Sequence, residues 1–157
     1  MYGGYIHMKK IVLLLLATLC LFACGGDSNS NGDATMVCSG ESDSQMLVNS
    51  VYADGDVITR IVYYAEADGT MLGLDEETLQ LLVDQVASEY GQYEFIDYNA
   101  EVKDGTVIET TDINFKDADM EALYNLSIVD RADADYISLE LVRSAFEEMG
   151  LSCTNSK

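Results

Sequence analysis

Apolar and polar residues alternate along two stretches in the middle of the chain, and each stretch contains an Asp-Gly pair. The first stretch is SQMLVNSVYADGDVITRIVYY, and the second is YEFIDYNAEVKDGTVIETTDINF. A period of two predicts strands with one buried face, and an Asp-Gly pair between two such arms predicts a tight turn. The sequence therefore predicts two antiparallel β-hairpins.

The turn positions fix the expected strand registers. With Asp-Gly at the two central positions of each turn, Val48 would face Ile61 in the first hairpin, and Ile96 would face Ile113 in the second. The turns DGDVIT and DGTVIE also resemble each other. Their similarity indicates either an internal duplication of a hairpin-plus-helix unit or a chance repeat of a favourable turn.

Three segments outside the hairpins show the 3.6-residue period of an amphipathic helix. GLDEETLQLLVDQVASEYG has Asp75 as an expected N-cap and Gly91 as a stop signal. ISLELVRSAFEEMG has Ser138 as N-cap and Gly150 as stop, and DADMEALYNL is a shorter candidate. The predicted buried positions are Leu79, Leu82, Val83, Val86 and Tyr90 in the first helix and Val142, Ala145, Phe146 and Met149 in the last.

These elements predict an α+β fold. Two tight hairpins commit most strand pairings to the antiparallel form, and the apolar stripes of the helices need a sheet to cover. The expected architecture is one antiparallel sheet with the helices packed on one face.

The chain begins with a segment typical of export. Lys9 and Lys10 precede IVLLLLATLCLFA, an uncharged run that is too short to span a bilayer, for which about 20 apolar residues are needed. The run leads into LFAC, which resembles the lipobox of bacterial lipoproteins. The predicted organisation is a signal peptide over residues 1–23, a lipidated Cys24 with a flexible tether over 24–34, and a single α+β domain over 35–157.

A lipobox cysteine implies a diacylglyceryl thioether on Cys24 and cleavage after Ala23. Two acyl chains would hold the domain at the membrane without a spanning helix. The alternative is an ordinary signal peptide with an incidental cysteine. The expected location is the extracytoplasmic face of the cell membrane, with the protein anchored by lipid.

The chain downstream of Cys24 is strongly acidic. The formal net charge of the whole chain is −20, and it becomes −22 once Lys9 and Lys10 are removed. A surface of this sign repels nucleic acid, so nucleic-acid binding is excluded. The charge either only keeps the surface solvated or recruits a cation, or a basic protein or peptide of the envelope.

Two cysteines remain in the expected domain, Cys38 and Cys153. An even number of cysteines in an exported protein suggests pairing. A bridge between them would close a long loop and contribute about 4 to 5 kcal/mol by chain entropy. The alternative is two free, buried thiols.

The chemistry available downstream of Cys24 is narrow. The only histidine is His7, so Ser-His and Cys-His catalytic pairs and His-based zinc sites are excluded. Paired carboxylates support glycoside hydrolysis only in a shared cleft, and there is no Trp to line a sugar site. The runs KDAD and DRADAD lack the spacing of an EF-hand calcium loop, and capping and solubility explain them. We predict no catalytic residue, no metal site and no cofactor, and the protein is not expected to be an enzyme.

Tyrosine is concentrated on or beside the hairpins. It can fill a half-buried sheet while its hydroxyl reaches water, or, if exposed, it can form a recognition surface. The residues concerned are Tyr52, Tyr63, Tyr64, Tyr90, Tyr93 and Tyr98.

Four short motifs are spread along the chain: LFAC, VCSGE at residues 37–41, GLDEET at the start of the central helix, and YISLELVRSAFEEMG. Together with the tether they resemble the YehR-like lipoproteins, small proteins of the bacterial cell envelope. The resemblance implies a small α+β fold, and it carries over no activity and no binding residue.

The expected function is that of a lipid-anchored, non-catalytic binding or interaction module of the cell envelope. A contiguous exposed patch of tyrosine would favour this function. The alternatives are a structural or stress-related envelope protein without a specific ligand and, more remotely, a carboxylate-dependent hydrolase. Two carboxylates in one closed pocket would favour the hydrolase.

Overall fold

The computed structural model of the chain describes residues 34–42, 44–129 and 131–156. The predicted signal peptide, Cys24 and the tether up to residue 33 lie outside these residues. Within the described part of the chain, no helix has the length and apolar character needed to cross a membrane.

Six strands and three helices form the described part of the chain. In chain order they are β1 (Met36–Ser42), β2 (Gln45–Asp54), β3 (Val57–Asp68), α1 (Glu76–Tyr90), β4 (Ile96–Lys103), β5 (Thr106–Asn114), α2 (Met120–Asn125), α3 (Leu139–Glu148) and β6 (Ser152–Asn155). The strands make one open antiparallel sheet in the order β4-β5-β3-β2-β1-β6. The predicted α+β fold is confirmed.

The three helices pack on one face of the sheet, which we call the covered face. Their buried residues share clusters with strand residues: Leu79 and Val83 of α1 with Val107, Leu123 of α2 with Ile96 and Ile113, and Phe146 of α3 with Val51 and Ile61. We call the other side the open face. It carries Tyr52, Arg60, Val62, Tyr64, Asp112, Asp97, Asn99 and Glu101. Apart from Thr59, the neighbours of these residues along each strand point to the covered face.

The helix ends follow the predicted capping. The Asp75 side chain accepts a hydrogen bond of 2.8 Å from the Thr78 amide, and Ser138 accepts one of 3.1 Å from the Leu141 amide. Gly91 caps the C-terminus of α1. Both predicted N-caps are therefore confirmed.

The buried stripe predicted for α1 is confirmed, but that of α3 is only half right. Phe146 is buried and Val142 packs against the core, whereas Ala145 and Met149 are exposed. The helix is rotated so that the row through Leu139, Val142 and Phe146 faces the sheet. This rotation turns the row through Ala145 and Met149 to solvent, because the two rows lie on different sides of the helix.

The second hairpin has the predicted register. Ile96 lies opposite Ile113 and Lys103 lies opposite Thr106, so Asp104-Gly105 forms the two-residue turn. Both turn residues have positive φ angles, +53° and +79°. A turn with two positive φ values matches the twist of the strands that it joins.

The register predicted for the first hairpin is wrong. Asp54 pairs with Val57, so the turn consists of Gly55-Asp56, and Val48 lies opposite Tyr64 instead of Ile61. The two hairpins therefore share a connection to a helix but not the position of the Asp-Gly pair in the turn.

A β-bulge in β3 shifts the strand register of the first hairpin by one further residue. Ala53 lies opposite Ile58, and the next pair is Tyr52 with Arg60, so Thr59 is an extra residue. Ile58 is buried in the core, whereas Thr59 and Arg60 both line a cleft on the open face. The bulge thus turns two consecutive side chains to the same side of the sheet.

A disulfide joins the first and last strands. Cys38 on β1 lies directly opposite Cys153 on β6, with an S–S distance of 2.02 Å. This confirms the predicted pairing. The strand β6 itself was not predicted from the sequence.

Candidate functional site

A cleft of about 430 Å³ lies on the open face, at the end of the sheet where β1 begins. The bulge at Thr59 and the β3-β5 pairing bring its residues together from four segments of the chain. The cleft is lined by Tyr52, Thr59, Arg60, Glu94, Phe95, Asp97, Asp112, Asn114 and Lys116.

Arg60 is held in the cleft by a two-pronged ion pair. Its Nε donates to Asp112 Oδ1 at 2.8 Å, and its Nη2 donates to Asp112 Oδ2 at 2.5 Å. The guanidinium carbon also lies 5.1 Å from the centre of the Tyr52 ring. Hydrogen bonding to Asp112 raises the pKa of Arg60, so this side chain is a fixed positive charge.

A second carboxylate faces this pair. Asp97 on β4 lies directly opposite Asp112 on β5, an arrangement in which like charges repel. Arg60 compensates the charge of Asp112, and the side-chain amide of Asn99 donates to Asp97 at 3.1 Å. Asp97 is exposed, so its carboxylate remains available to a positively charged group from outside.

A neighbouring cleft of about 420 Å³ extends the site past the segment before β4. Glu94 and Phe95 line both clefts, and Phe95 lies with its ring centre 5.4 Å from that of Tyr93. Asp117 and Asp119 line the far side. The two clefts together form a mixed-charge surface with aromatic residues beside the start of β4.

A different polar contact lies on the covered face. The Tyr98 hydroxyl donates a hydrogen bond of 2.8 Å to Glu109 Oε2. Burial raises the pKa of Glu109 to about 7, although the hydrogen bond from Tyr98 acts in the opposite direction. Among the described residues, Tyr98 is the only side chain that hydrogen-bonds to the Glu109 carboxyl group.

The tyrosines of the hairpins do not form an exposed patch. All six are half-buried, and several pack against other rings: Tyr63 contacts Phe146 edge-on, and Tyr90 contacts Tyr98 in the same way. Of the two interpretations of these tyrosines, the one in which they fill a half-buried sheet is therefore confirmed.

The acidic runs considered for calcium make local contacts. Asp119 caps α2 by accepting from the Glu121 amide at 3.1 Å, and Asp117 accepts from the Asn114 side chain at 2.6 Å. Hydrogen bonds from Arg131 lower the pKa of Asp133. In the part of the chain that the structure describes, no three His, Cys, Asp or Glu side chains are grouped so as to hold a metal ion.

The sequence predicted three site residues, Cys24, Cys38 and Cys153, and the last two lie within the described region. Cys38 and Cys153 are brought together as a disulfide, whereas Cys24 lies outside the described residues. The cleft around Arg60 was missed. A single Arg on a predicted strand gives no signal, because its partner Asp112 lies 52 residues away in the sequence.

Comparison with known proteins gives a family and a fold. Residues 35–152 match a family described as "Protein of unknown function (DUF1307)". The fold is similar to the NMR structure of the E. coli YehR protein, with a TM-score of 0.65 and 12% identity over 80% of this chain and 94% of that one. An NMR structure of a protein from Streptococcus pneumoniae TIGR4 has a TM-score of 0.48 and 10% identity over 84% of this chain and 92% of that one. No curated protein sequence matches the chain.

Proposed function

We propose that this chain, which belongs to the DUF1307 family, is a lipid-anchored interaction module of the bacterial cell envelope. It would be fastened to the membrane through Cys24 and would recognise an envelope protein or peptide through the open face of its sheet. It would act without catalysis.

Two features support a location outside the cytoplasm. The LFAC motif at Cys24 follows a basic and an apolar segment, which is the order found in lipoprotein signals. The Cys38–Cys153 disulfide is a bond that persists in oxidising compartments. Together they favour a domain exported and held at the outer surface of a membrane.

The open cleft around Arg60 is the observation that carries the recognition proposal. A bulge turns Thr59 and Arg60 into it, and Arg60 is fixed by Asp112 and Tyr52. Positioned charges beside aromatic residues, on a face without helices in the described part of the chain, are typical of recognition sites.

Thr35, the second described residue, lies near the same end of the sheet. Thr35 donates its amide to the Val51 carbonyl at 2.8 Å, and its hydroxyl oxygen accepts from the Ala53 amide at 3.0 Å, on either side of Tyr52. The segment from Cys24 to Thr35 spans at most roughly 40 Å when extended. A partner bound in the cleft would therefore be held close to the membrane surface.

Photocrosslinking in intact cells tests the recognition proposal. A photoreactive amino acid replaces Lys116 in the cleft, and in a control it replaces Leu81, which is 67% exposed on α1. We expect discrete adducts with another envelope component from position 116 only. Equal adduct patterns from both positions, or none from position 116, would contradict the proposal.

Labelling with radioactive palmitate tests the anchor. The wild-type protein is expected to incorporate label and to fractionate with membranes, whereas Cys24→Ala is expected to do neither. Equal incorporation in the two proteins would defeat the lipoprotein assignment. The result is independent of whether a partner is found.

A further inference from the structure

Strand β4 forms one edge of the sheet, because β5 is its only partner strand among the described residues. The Asn114 amide donates to the Phe95 carbonyl at 2.9 Å, so the backbone groups of residue 95 point toward β5. Backbone direction alternates along an antiparallel strand. The N–H and C=O groups of Ala100 and Val102 therefore point away from the sheet, and no described residue hydrogen-bonds to them.

We propose that an extended, basic polypeptide segment of a partner adds to this edge as a further antiparallel strand beside β4. The inference rests on the proposed interaction function, and it names the class of partner and the mode of binding. Backbone hydrogen bonds to Ala100 and Val102 supply the pairing. Side chains on the open face supply the selectivity.

The charge on the open-face side of β4 selects the partner. Asp97 and Glu101 are both exposed and lie four residues apart on this side of the strand, with Asn99 between them. For an antiparallel partner these would be the positions without direct backbone hydrogen bonds, where opposed Cα atoms are only about 4.5 Å apart. Opposite charges at such positions stabilise the pairing. The fitting segment carries Lys or Arg at positions i and i+4.

The cleft extends this recognition at one end. Asp97 and Phe95 both line it. A basic side chain opposite Asp97 would thus lie beside a carboxylate and an aromatic residue, both of which attract cations. The cleft and the edge then form one continuous binding surface.

A second copy of this chain is a poorer occupant of the edge. Its own β4 would bring carboxylates against Asp97 or Glu101, and the net charge of −20 on each chain opposes association. Charged side chains on edge strands commonly prevent such self-pairing. The same charges that deter another copy favour a basic partner.

Binding of a designed peptide to the full chain in a neutral detergent tests the proposal. The probe is a fluorescent nine-residue peptide, Thr-Val-Lys-Val-Thr-Val-Lys-Val-Thr, and the control peptide has Glu in place of both lysines. Two further probes carry N-methyl groups on alternate amides, so that each blocks only one edge of the extended peptide. We expect the lysine peptide to bind, the glutamate peptide not to bind, and one methylated isomer to bind at least about tenfold more weakly than the other.

Two charge reversals on the protein form a matched pair. Glu101→Lys is expected to weaken binding of the lysine probe about tenfold or more. Glu41→Lys makes the same change in net charge at an exposed position on β1. Successive strand pairings line up Glu41 with Glu101 across the sheet, and the two residues are four strand spacings, or roughly 19 Å, apart. Because this distance exceeds the screening length in salt, Glu41→Lys is expected to leave the affinity within about twofold.

Three outcomes would overturn the edge-strand proposal: no binding of the lysine probe, equal binding of the two methylated isomers, or equal weakening by both charge reversals. The cell crosslinking from position 116 reports on the interaction function separately. Adducts there together with a failed probe would reject the basic extended segment and keep the interaction module. A bound probe without adducts would reject the module in cells and keep a peptide-binding edge.

Discussion

Tyr98 on β4 donates its hydroxyl hydrogen to Glu109 on β5, across a 2.8 Å hydrogen bond on the covered face. Tyr98 also packs edge-on against Tyr90 of α1, with ring centres 5.6 Å apart. The strands place Glu109 opposite Ala65 on one side and Ala100 on the other, both small residues. The carboxyl group is thus held in a poorly solvated position that is linked to the packing of α1.

The stability of the fold is expected to depend on the ionisation of Glu109. Burial raises its pKa from the ordinary 4.5 to about 7 in the folded protein, so the folded state favours the protonated form. The resulting stabilisation is fully present below pH 4.5 and is lost as the pH rises through 7. By linkage, Glu109→Gln is expected to exceed the wild type in free energy of unfolding by up to about 3 kcal/mol at pH 8.

Urea unfolding of both proteins between pH 5 and pH 8 measures this difference. Gln keeps an oxygen that can accept from Tyr98 but carries no charge. Glu101→Gln, at an exposed site on the open face, removes the same charge and is the control. A difference between Glu109→Gln and wild type that stays constant with pH would refute the assignment.

Removal of Arg60 is expected to leave the charge repulsion between Asp97 and Asp112 uncompensated. The ion pair is only about one-third exposed, so Arg60→Ala should lower the free energy of unfolding by about 1 to 2 kcal/mol. Adding Asp97→Asn should recover part of that loss, whereas Asp97→Asn alone should change little. Additive effects in this double-mutant cycle would contradict the coupling.

The ion pair between Arg131 and Asp133 is more exposed than the pair between Arg60 and Asp112. Its side chains are 63% and 78% exposed. Arg131→Ala is therefore expected to change the free energy of unfolding by less than about 0.5 kcal/mol, measured by the same urea titration.

Replacement of Gly69 is expected to disturb the docking of α1. A Cβ at this position would lie 2.9 Å from Leu79 Cδ2 and 3.0 Å from the Gly105 carbonyl oxygen, and Leu79 is buried. We expect Gly69→Ala to cost about 1 to 3 kcal/mol by overpacking. In the Leu79→Ala background the same change should cost less, because the obstructing side chain is gone.

The turn glycine Gly55 separates overpacking from backbone strain. It has a φ of +61°, and a Cβ there would meet nothing within 4 Å. Gly55→Ala should cost about 1 kcal/mol from its left-handed backbone alone, and Leu79→Ala should not alter that cost. Equal responses of both glycines to the Leu79 background would rule out the contact with α1 as the cause.

Reduction of the disulfide is expected to destabilise the protein strongly. The two cysteines are 115 residues apart, and the chain-entropy estimate for a loop of this length is about 4 to 5 kcal/mol. Urea unfolding with and without a reductant measures the loss. The double variant Cys38→Ala, Cys153→Ala should not respond to reductant, and thiols that alkylate fully before reduction would contradict the bond.

The hairpins show how far local sequence determines register. In the second hairpin one Asp-Gly pair lies between Lys103 and Thr106, and both of its residues take positive φ, so the predicted pairing is observed residue by residue. In the first hairpin Gly55 is followed by a second aspartate, Asp56, which also fits a turn. The sequence DGD therefore allows two turn positions, and the observed one differs from the predicted one.

The cleft depends on features that no local pattern encodes. The bulge at Thr59 adds one residue to an ordinary alternating strand and has no composition signal of its own. Arg60 meets Asp112 only because β3 pairs with β5, a contact between the hairpins that neither turn specifies. Strand β6 was not predicted because its four residues are too few to establish an alternating pattern.

The Cys38–Cys153 bond has a mechanical consequence. A tension applied between Thr35 and Asn155 would pass along β1 to Cys38, cross the sulfur bridge and leave through the last strand. The long stretch of chain between the two cysteines, with the bulge, the cleft and the outer strand β4, lies inside this covalent loop. A domain pulled at both of its ends would thus extend by no more than the short segments outside the two cysteines until a covalent bond breaks.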